Sequence, residues 1–145
     1  ASMDAGWGGP RVALAVLEQH GQTALREFYN AVGTRIHPGG EPNHVDTYAA
    51  ALADVGLPVE LAREALTDAN DEAVRRSHHE GMDPVGFDVG TPVVRVNGMS
   101  LFGPVISPAP RGEAAGELWD GVVKVVAYPG FFELKRTRTV GPIFD

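Results

Sequence analysis

The residue types that most often do chemistry are present in this chain of 145 residues, with the exception of cysteine. Without a thiol, the chain can form no disulfide, thiolate nucleophile, iron–sulfur cluster or cysteine-type zinc site. Any dithiol redox chemistry would therefore have to be supplied from outside these residues.

Five histidines could ligate a metal ion. His78 and His79 are adjacent, so on a helix they point about 100° apart and cannot face one ion as an i, i+4 pair would. The other three, His20, His37 and His44, fall in separate loops or at helix ends. Capping and surface roles are favoured, and no metal site is predicted.

Other catalytic and anion-binding signatures are weak or missing. No Gly-x-Ser-x-Gly elbow occurs, which leaves a Ser-His-Asp triad without support. The segment Trp7–Pro10 lacks the preceding strand and the following Gly-Lys-Ser/Thr of a phosphate-binding loop. The basic residues Lys135, Arg136 and Arg138 could bind an anion, but such a cluster is more often a solvated chain end.

Several aromatic residues fall near expected loops, where they either pack at a core edge or line a substrate groove. They are Trp7, Phe87, Phe102, Phe131 and Phe132. Each taken alone is expected at a core edge. Trp7 and Phe102 gain a binding role if the fold brings them beside Gly90-Thr91-Pro92.

The segment from Val89 to Gly98 reads as a loop, a strand and a turn. Pro92 has no N–H, so it suits the first residue of a strand, and Thr91 before it is pushed to extended geometry. Asn97-Gly98 is a strong hairpin signal, because both central residues of a type I′ turn need positive φ. The sequence predicts strands over 93–96 and 99–105.

Apolar residues at helical spacing predict five helices before the hairpin and one after it. A loop at 7–10 opens the first helix, which Gly21 closes. The others are expected over 22–36, 45–55, from Pro58, over 71–82 and over 112–127. With no strands between the first five, they form a helical layer and not crossovers of a parallel sheet. The fold class is α+β, with a helical domain over residues 1–86 and a second domain over 87–145.

Composition narrows the classes of function. Hydrophobic residues make up 43% of the chain and the net charge is −7, so we expect a globular protein that does not bind nucleic acid. No apolar run approaches the roughly 20 residues of a membrane span, and the first residues do not read as a signal peptide. A cytoplasmic location and no membrane partner are therefore expected.

Segments spread over the whole chain resemble one family, the actinobacterial mycothiol-dependent nitroreductases among the DsbA-like thioredoxin-fold proteins. The Thr-Pro segment and the tail are the most specific. The resembling segments are Trp7–Gly21, Arg35-Ile36-His37, Leu52-Ala53-Asp54, Gly56-Leu57-Pro58, Arg76–His79, Gly81-Met82-Asp83, Asp88–Pro92, Phe102–Val105, Pro110–Glu113, Phe131–Thr139 and Phe144-Asp145.

The resemblance implies a partial thioredoxin fold, a β-hairpin plus C-terminal helix, with a helical insertion domain of about five helices. It also implies that the Thr91–Pro92 bond is cis, and that Gly90, Thr91 and Pro92 form the loop that faces a dithiol and orients substrate. Trp7 is expected near that loop, with Phe102. The family's Cys-Pro-Trp-Cys segment has no counterpart here, so this chain has no catalytic residue and no cofactor, and mycothiol is the reductant of the parent family.

Two hypotheses follow. The chain is a fragment of a thiol-disulfide oxidoreductase that acts on small-molecule or disulfide substrates, or it is a cysteine-free module that binds or sequesters a small molecule. A purely structural partner is a weaker third. Because the resemblance places the strand after Pro92 against a strand absent here, the open edge is expected to pair with a second copy in a homodimer.

Overall fold

The computed structural model describes residues 2–143, with side chains described from Gly6 onward. Phe144 and Asp145, which the resemblance matches to the end of the family, lie outside the described residues. The chain forms two compact units that divide between Ser77 and His78. The predicted domain boundary between residues 86 and 87 stays a prediction.

Helices and a single antiparallel hairpin make up the regular structure of the described residues, which confirms the α+β class. The elements in chain order are α1 (Ser2–Ile36), α2 (Val45–Asp54), a 3₁₀ helix (Val59–Leu66), α3 (Asp71–Met82), β1 (Val93–Val96), β2 (Met99–Phe102) and α4 (Gly112–Val126).

Helix α1 is two helical segments joined at Gly21, as the sequence predicts. Gly21 has φ 83° and ψ −179°, which a residue without Cβ adopts at little steric cost. The predicted loop at Trp7–Pro10 is wrong, because the first segment already begins at Ser2. Pro10 has a ring-fixed φ close to the helical value, and the glycines before it serve packing, not a turn.

Gly8 and Gly9 let α2 approach α1 closely. A Cβ at Gly8 would lie 3.2 Å from Cε2 of Tyr48 and 3.3 Å from Cβ of Ala65. The Tyr48 side chain is buried, and its hydroxyl donates to Oδ1 of Asn43 at 2.6 Å. Burial raises the pKa of the Tyr48 hydroxyl, partly offset by the backbone of Gly9. The absence of side chains at Gly8 and Gly9 therefore leaves the space that the Tyr48 ring occupies.

The first unit has one core, between α1, α2 and the 3₁₀ helix. The residues that form it are Val12, Ala15, Val16, Phe28, Tyr48, Ala51, Leu52, Leu61 and Ala62. Tyr29 and Leu66 belong to the apolar spacing of these helices but lie outside the core, 73% and 71% exposed. Leu66 follows Leu61 by five residues, which places it about 120° around the 3₁₀ helix from that buried side chain.

The second unit contains the hairpin. Val93 pairs with Phe102 across it, and Asn97 and Gly98 take φ values of 51° and 83° at the turn. Both values suit a type I′ turn, which confirms the predicted strand over 93–96 and its turn. The return strand stops at Phe102, shorter than predicted, because Gly103 at φ 104° turns the chain away.

Helix α4 covers its hairpin incompletely. Val126, near its C-terminal end, is buried, whereas Leu118 and Trp119 are 42% and 45% exposed. A helix is about 10 Å wide, and two strands lie only about 4.8 Å apart. The hairpin is therefore too narrow to cover the apolar side of α4.

The irregular tail after α4 is tied back to the loop that follows the hairpin. The Ser107 hydroxyl donates to the carbonyl of Gly141 at 2.8 Å and accepts from the N–H of Ile143 at 3.0 Å. Between the end of α4 and these two hydrogen bonds, the apolar side chains of Phe132 and Leu134 are both 85% exposed. The Ser107 hydroxyl thus holds residues 141–143 of an otherwise solvent-exposed tail.

Candidate functional site

The segment Gly90-Thr91-Pro92 leads directly into β1 and is exposed. The peptide bond between Thr91 and Pro92 is cis, as are the Gly103–Pro104 and Ser107–Pro108 bonds. The N–H of Gly103 donates to the Pro92 carbonyl at 2.7 Å. The open end of the hairpin therefore carries two proline segments side by side.

Phe102 lies at this same end of the hairpin. Phe102 pairs with Val93, the residue after Pro92, in the register of the two strands. Its side chain is 43% exposed. The structure thus places Phe102 at the same end of the hairpin as Pro92. Its role in binding stays a prediction.

The hydrogen bond from the Gly103 N–H to the Pro92 carbonyl identifies which backbone groups of β1 point toward β2 and which point away from it. In an antiparallel pair, the backbone groups of successive residues point alternately toward and away from the partner strand. Since Pro92 directs its carbonyl toward the partner strand, Val93 and Arg95 of β1 direct their N–H and C=O groups outward. We call this row the open edge. It can accept an extended segment of substrate or another strand.

Trp7, the remaining predicted site residue, lies on α1 in the first unit, and its place near the Thr-Pro loop stays a prediction. Its ring has two guanidinium neighbours, with Cζ of Arg75 4.9 Å and Cζ of Arg11 5.8 Å from the ring centroid. Both distances are within the range of cation–π contact. The i, i+4 spacing of Trp7 and Arg11 on a helix is the sequence feature from which this contact could have been predicted.

Asp71 joins these arginines and ties the start of α3 to α1. Its two carboxylate oxygens accept hydrogen bonds from Nε and Nη2 of Arg11 at 2.6 Å and 2.9 Å. Nη2 of Arg75 lies 3.6 Å from Oδ2 of Asp71. The Asp71 side chain is only 14% exposed. Two parallel hydrogen bonds between a guanidinium and a carboxylate fix both side chains. Asp71, Arg11 and Arg75 therefore have a structural role, and we call these three residues the clamp.

Hydrogen bonding to Arg11 lowers the pKa of Asp71, against a smaller opposing effect of desolvation. A lowered folded-state pKa means that the stabilisation is present above the unfolded value, about 3.9, and is lost as the pH falls through the folded value. We expect Asp71→Asn to be less stable than the parent at pH 7 and to lose less stability below about pH 4. Urea unfolding at several pH values measures this. Glu72→Gln, an exposed neighbour, is the control, and an equal pH profile for both variants would contradict the clamp.

An open groove in the first unit lies next to this clamp. It has a volume of about 650 Å³ and is lined by Gly8, Arg11, Asn43, His44, Val45, Tyr48, Ala65, Leu66, Thr67 and Asp68. Its size suits a small molecule. Two polar side chains that line the groove donate hydrogen bonds to neighbouring residues. Tyr48 donates to Asn43, and Arg11 donates to Asp71 and to the Ala65 carbonyl.

Among the residues that the structure describes, no group of three or more His, Cys, Asp or Glu side chains that could hold a metal ion occurs. His44 is the N-cap of α2, and its Nδ1 accepts from the Asp46 N–H. Over the same residues, no helix has the length and apolar character that crossing a bilayer requires.

Two comparisons with known proteins bear on these features. The profile of a family described as Rv2466c-like, mycothiol-dependent nitroreductase Rv2466c, matches residues 1–136. An uncharacterized protein of Mycobacterium tuberculosis, Rv2286c, is 32% identical over 136 residues, which make up 92% of this chain and 58% of that protein. The chain therefore spans less than two thirds of the length of this curated relative.

Proposed function

Because the chain belongs to the Rv2466c-like family of mycothiol-dependent nitroreductases, we propose that it forms the substrate-facing part of a DsbA-like, thiol-dependent reductase. The dithiol comes from a segment outside these 145 residues, which contain no cysteine. The observation that carries the proposal is the exposed Gly90-Thr91-Pro92 segment, which continues into the outward row of backbone groups at Val93 and Arg95.

A dithiol that becomes a disulfide gives up two electrons and two protons, which convert a nitro group to a nitroso group and water. Two molecules of mycothiol, the reductant named for the family, supply the same two electrons and two protons by thiol–disulfide exchange and leave as a disulfide. The part of the Thr91-Pro92 segment is to orient the substrate through backbone groups. Phe102 supplies apolar surface at the same end of the hairpin. None of these residues transfers protons or electrons.

A second candidate is a cysteine-free module that binds or sequesters a small molecule. The groove of about 650 Å³ in the first unit favours it, since such a volume is enough for a small ligand.

We also propose a cytoplasmic location, where mycothiol-dependent reduction would take place, and self-association. The open edge leaves the N–H and C=O groups of Val93 and Arg95 without a partner strand, and two such edges can pair antiparallel about a two-fold axis. The partly exposed Leu118 and Trp119 of α4 lie in the same unit and favour further burial.

Mycothiol-dependent turnover of a nitroaromatic substrate separates the two functions. We expect the pure 145-residue chain to show none, because thiol exchange needs an attacking thiolate. The product of the complete reading frame is expected to carry a Cys-x-x-Cys segment and to be active. Turnover by the cysteine-free chain would refute the proposal that the dithiol lies outside these residues, and a complete gene product without a cysteine pair would favour the binding module.

A further inference from the structure

A group of three aromatic rings lies at the C-terminal end of α3, in the second unit, and the proposed reductase role gives it no task. The centroids of the His79 and Phe87 rings are 5.8 Å apart, those of His78 and Phe87 6.4 Å, and those of the two imidazoles 5.9 Å. All three residues are exposed, with Phe87 at 65%. We call these three residues the ring cluster.

The backbone at the end of α3 builds this cluster. The N–H of Gly86 donates to the carbonyl of Met82 at 2.9 Å, and Gly86 takes φ 85°. A left-handed residue after a helix reverses the chain, so Phe87 returns onto the helix surface that carries the imidazoles. The carboxylate of Asp83 holds His79, with Oδ1 3.0 Å from Nδ1. A phenyl ring in a flexible surface loop would not be fixed in this way.

The cluster lies close to the proposed site along the chain. Phe87 and Thr91 are four positions apart, and an extended chain covers about 3.3 Å per residue, or at most about 13 Å in all. The Phe87 ring is tilted by 37° to the imidazole of His78 and by 74° to that of His79, while most of the residue is exposed to solvent. A phenylalanine that two neighbouring rings position and that solvent reaches has the form of a stacking platform.

We propose that the Phe87 ring, supported by His78 and His79, is a platform on which a planar, electron-poor aromatic substrate stacks. The inference rests on the proposed reductase function and adds a binding residue for its nitroaromatic substrates. The face of a phenyl ring carries partial negative charge, so an electron-poor ring stacks on it in offset geometry. A nitro-substituted ring is electron-poor, whereas an aliphatic disulfide has no ring with which to stack.

Binding to the 145-residue chain tests the proposal without any turnover. The probe is 1,3-dinitrobenzene, and the matched ring with reversed electronics is 1,3-dimethoxybenzene, each titrated while aromatic NMR signals are followed. We expect dinitrobenzene to shift the Phe87, His78 and His79 signals and to bind more tightly than the dimethoxy ring. Equal binding of the two rings, or shifts confined to other residues, would overturn the proposal.

Substitutions assign the binding to the ring itself. Phe87→Leu keeps an apolar side chain, and we expect it to weaken dinitrobenzene binding about tenfold, the effect of one lost aromatic stack. Phe87→Trp is expected to retain binding. Phe132→Leu, at a phenylalanine that is 85% exposed, is the control and should leave binding unchanged. A Phe87→Leu variant that binds as the parent does would refute the platform.

The outcomes also separate this inference from the proposed function. If dinitrobenzene binds at Phe87 but the complete gene product shows no mycothiol-dependent turnover, the reductase function fails while the platform stands. If turnover occurs and Phe87→Leu changes neither binding nor KM, the platform fails while the reductase function stands.

Discussion

Leu52→Ala is expected to lower the free energy of unfolding of the first unit by about 3 kcal/mol, the middle of the range for a buried leucine truncated to alanine. The Leu52 side chain is fully buried on α2, in the core shared with α1 and the 3₁₀ helix. Removing its branch takes away apolar contacts and leaves a cavity that helices on either side cannot fill without moving.

Urea unfolding followed by far-ultraviolet circular dichroism measures this loss. Leu66→Ala is the matched control, because the same truncation at a side chain that is 71% exposed should change stability by less than about 0.5 kcal/mol. Similar losses in the two variants would mean that the core does not lie where the structure places it.

Arg95→Pro is expected to convert a dimer of the 145-residue chain into a monomer. The N–H of Arg95 points away from β2, so its removal costs no bond within the hairpin, whereas the ring blocks strand addition at the open edge. Val94→Pro is the contrasting variant: its N–H points toward β2, and its loss should disrupt the hairpin itself.

Light scattering at tens of micromolar reports the mass of each variant, and circular dichroism reports whether the fold is retained. A parent chain that is already a compact monomer would count against pairing at this edge. An Arg95→Pro variant that remains dimeric with its structure intact would place the contact elsewhere, and the exposed Leu118 and Trp119 would be the next positions to change.

Local signals in the sequence predicted much of the fold. The Asn97-Gly98 turn and Gly21 were identified because each needs a backbone conformation that few residues adopt. Trp7–Pro10 was misread because glycine and proline usually mark loops. Here the glycines accommodate Tyr48, which is a contact between distant parts of the chain that local propensity does not contain.

The candidate site was predictable only in part. Pro92 and Phe102 lie at the same end of the hairpin because the register is fixed by the turn between the strands. The ring cluster was not predicted: Phe87 was expected at a core edge, and His78 and His79 were expected in surface or capping roles. Their meeting depends on the chain reversal at Gly86, whose left-handed conformation is visible only in three dimensions.

The close seat of Tyr48 against Gly8 also has an evolutionary consequence. A methyl group at position 8 would already press on the ring, at 3.2 Å from Cε2, so neither position can grow while the other stays the same. Among diverging descendants, a larger residue at position 8 should appear together with a smaller one at position 48. These two sites, 40 positions apart in the sequence, are expected to covary.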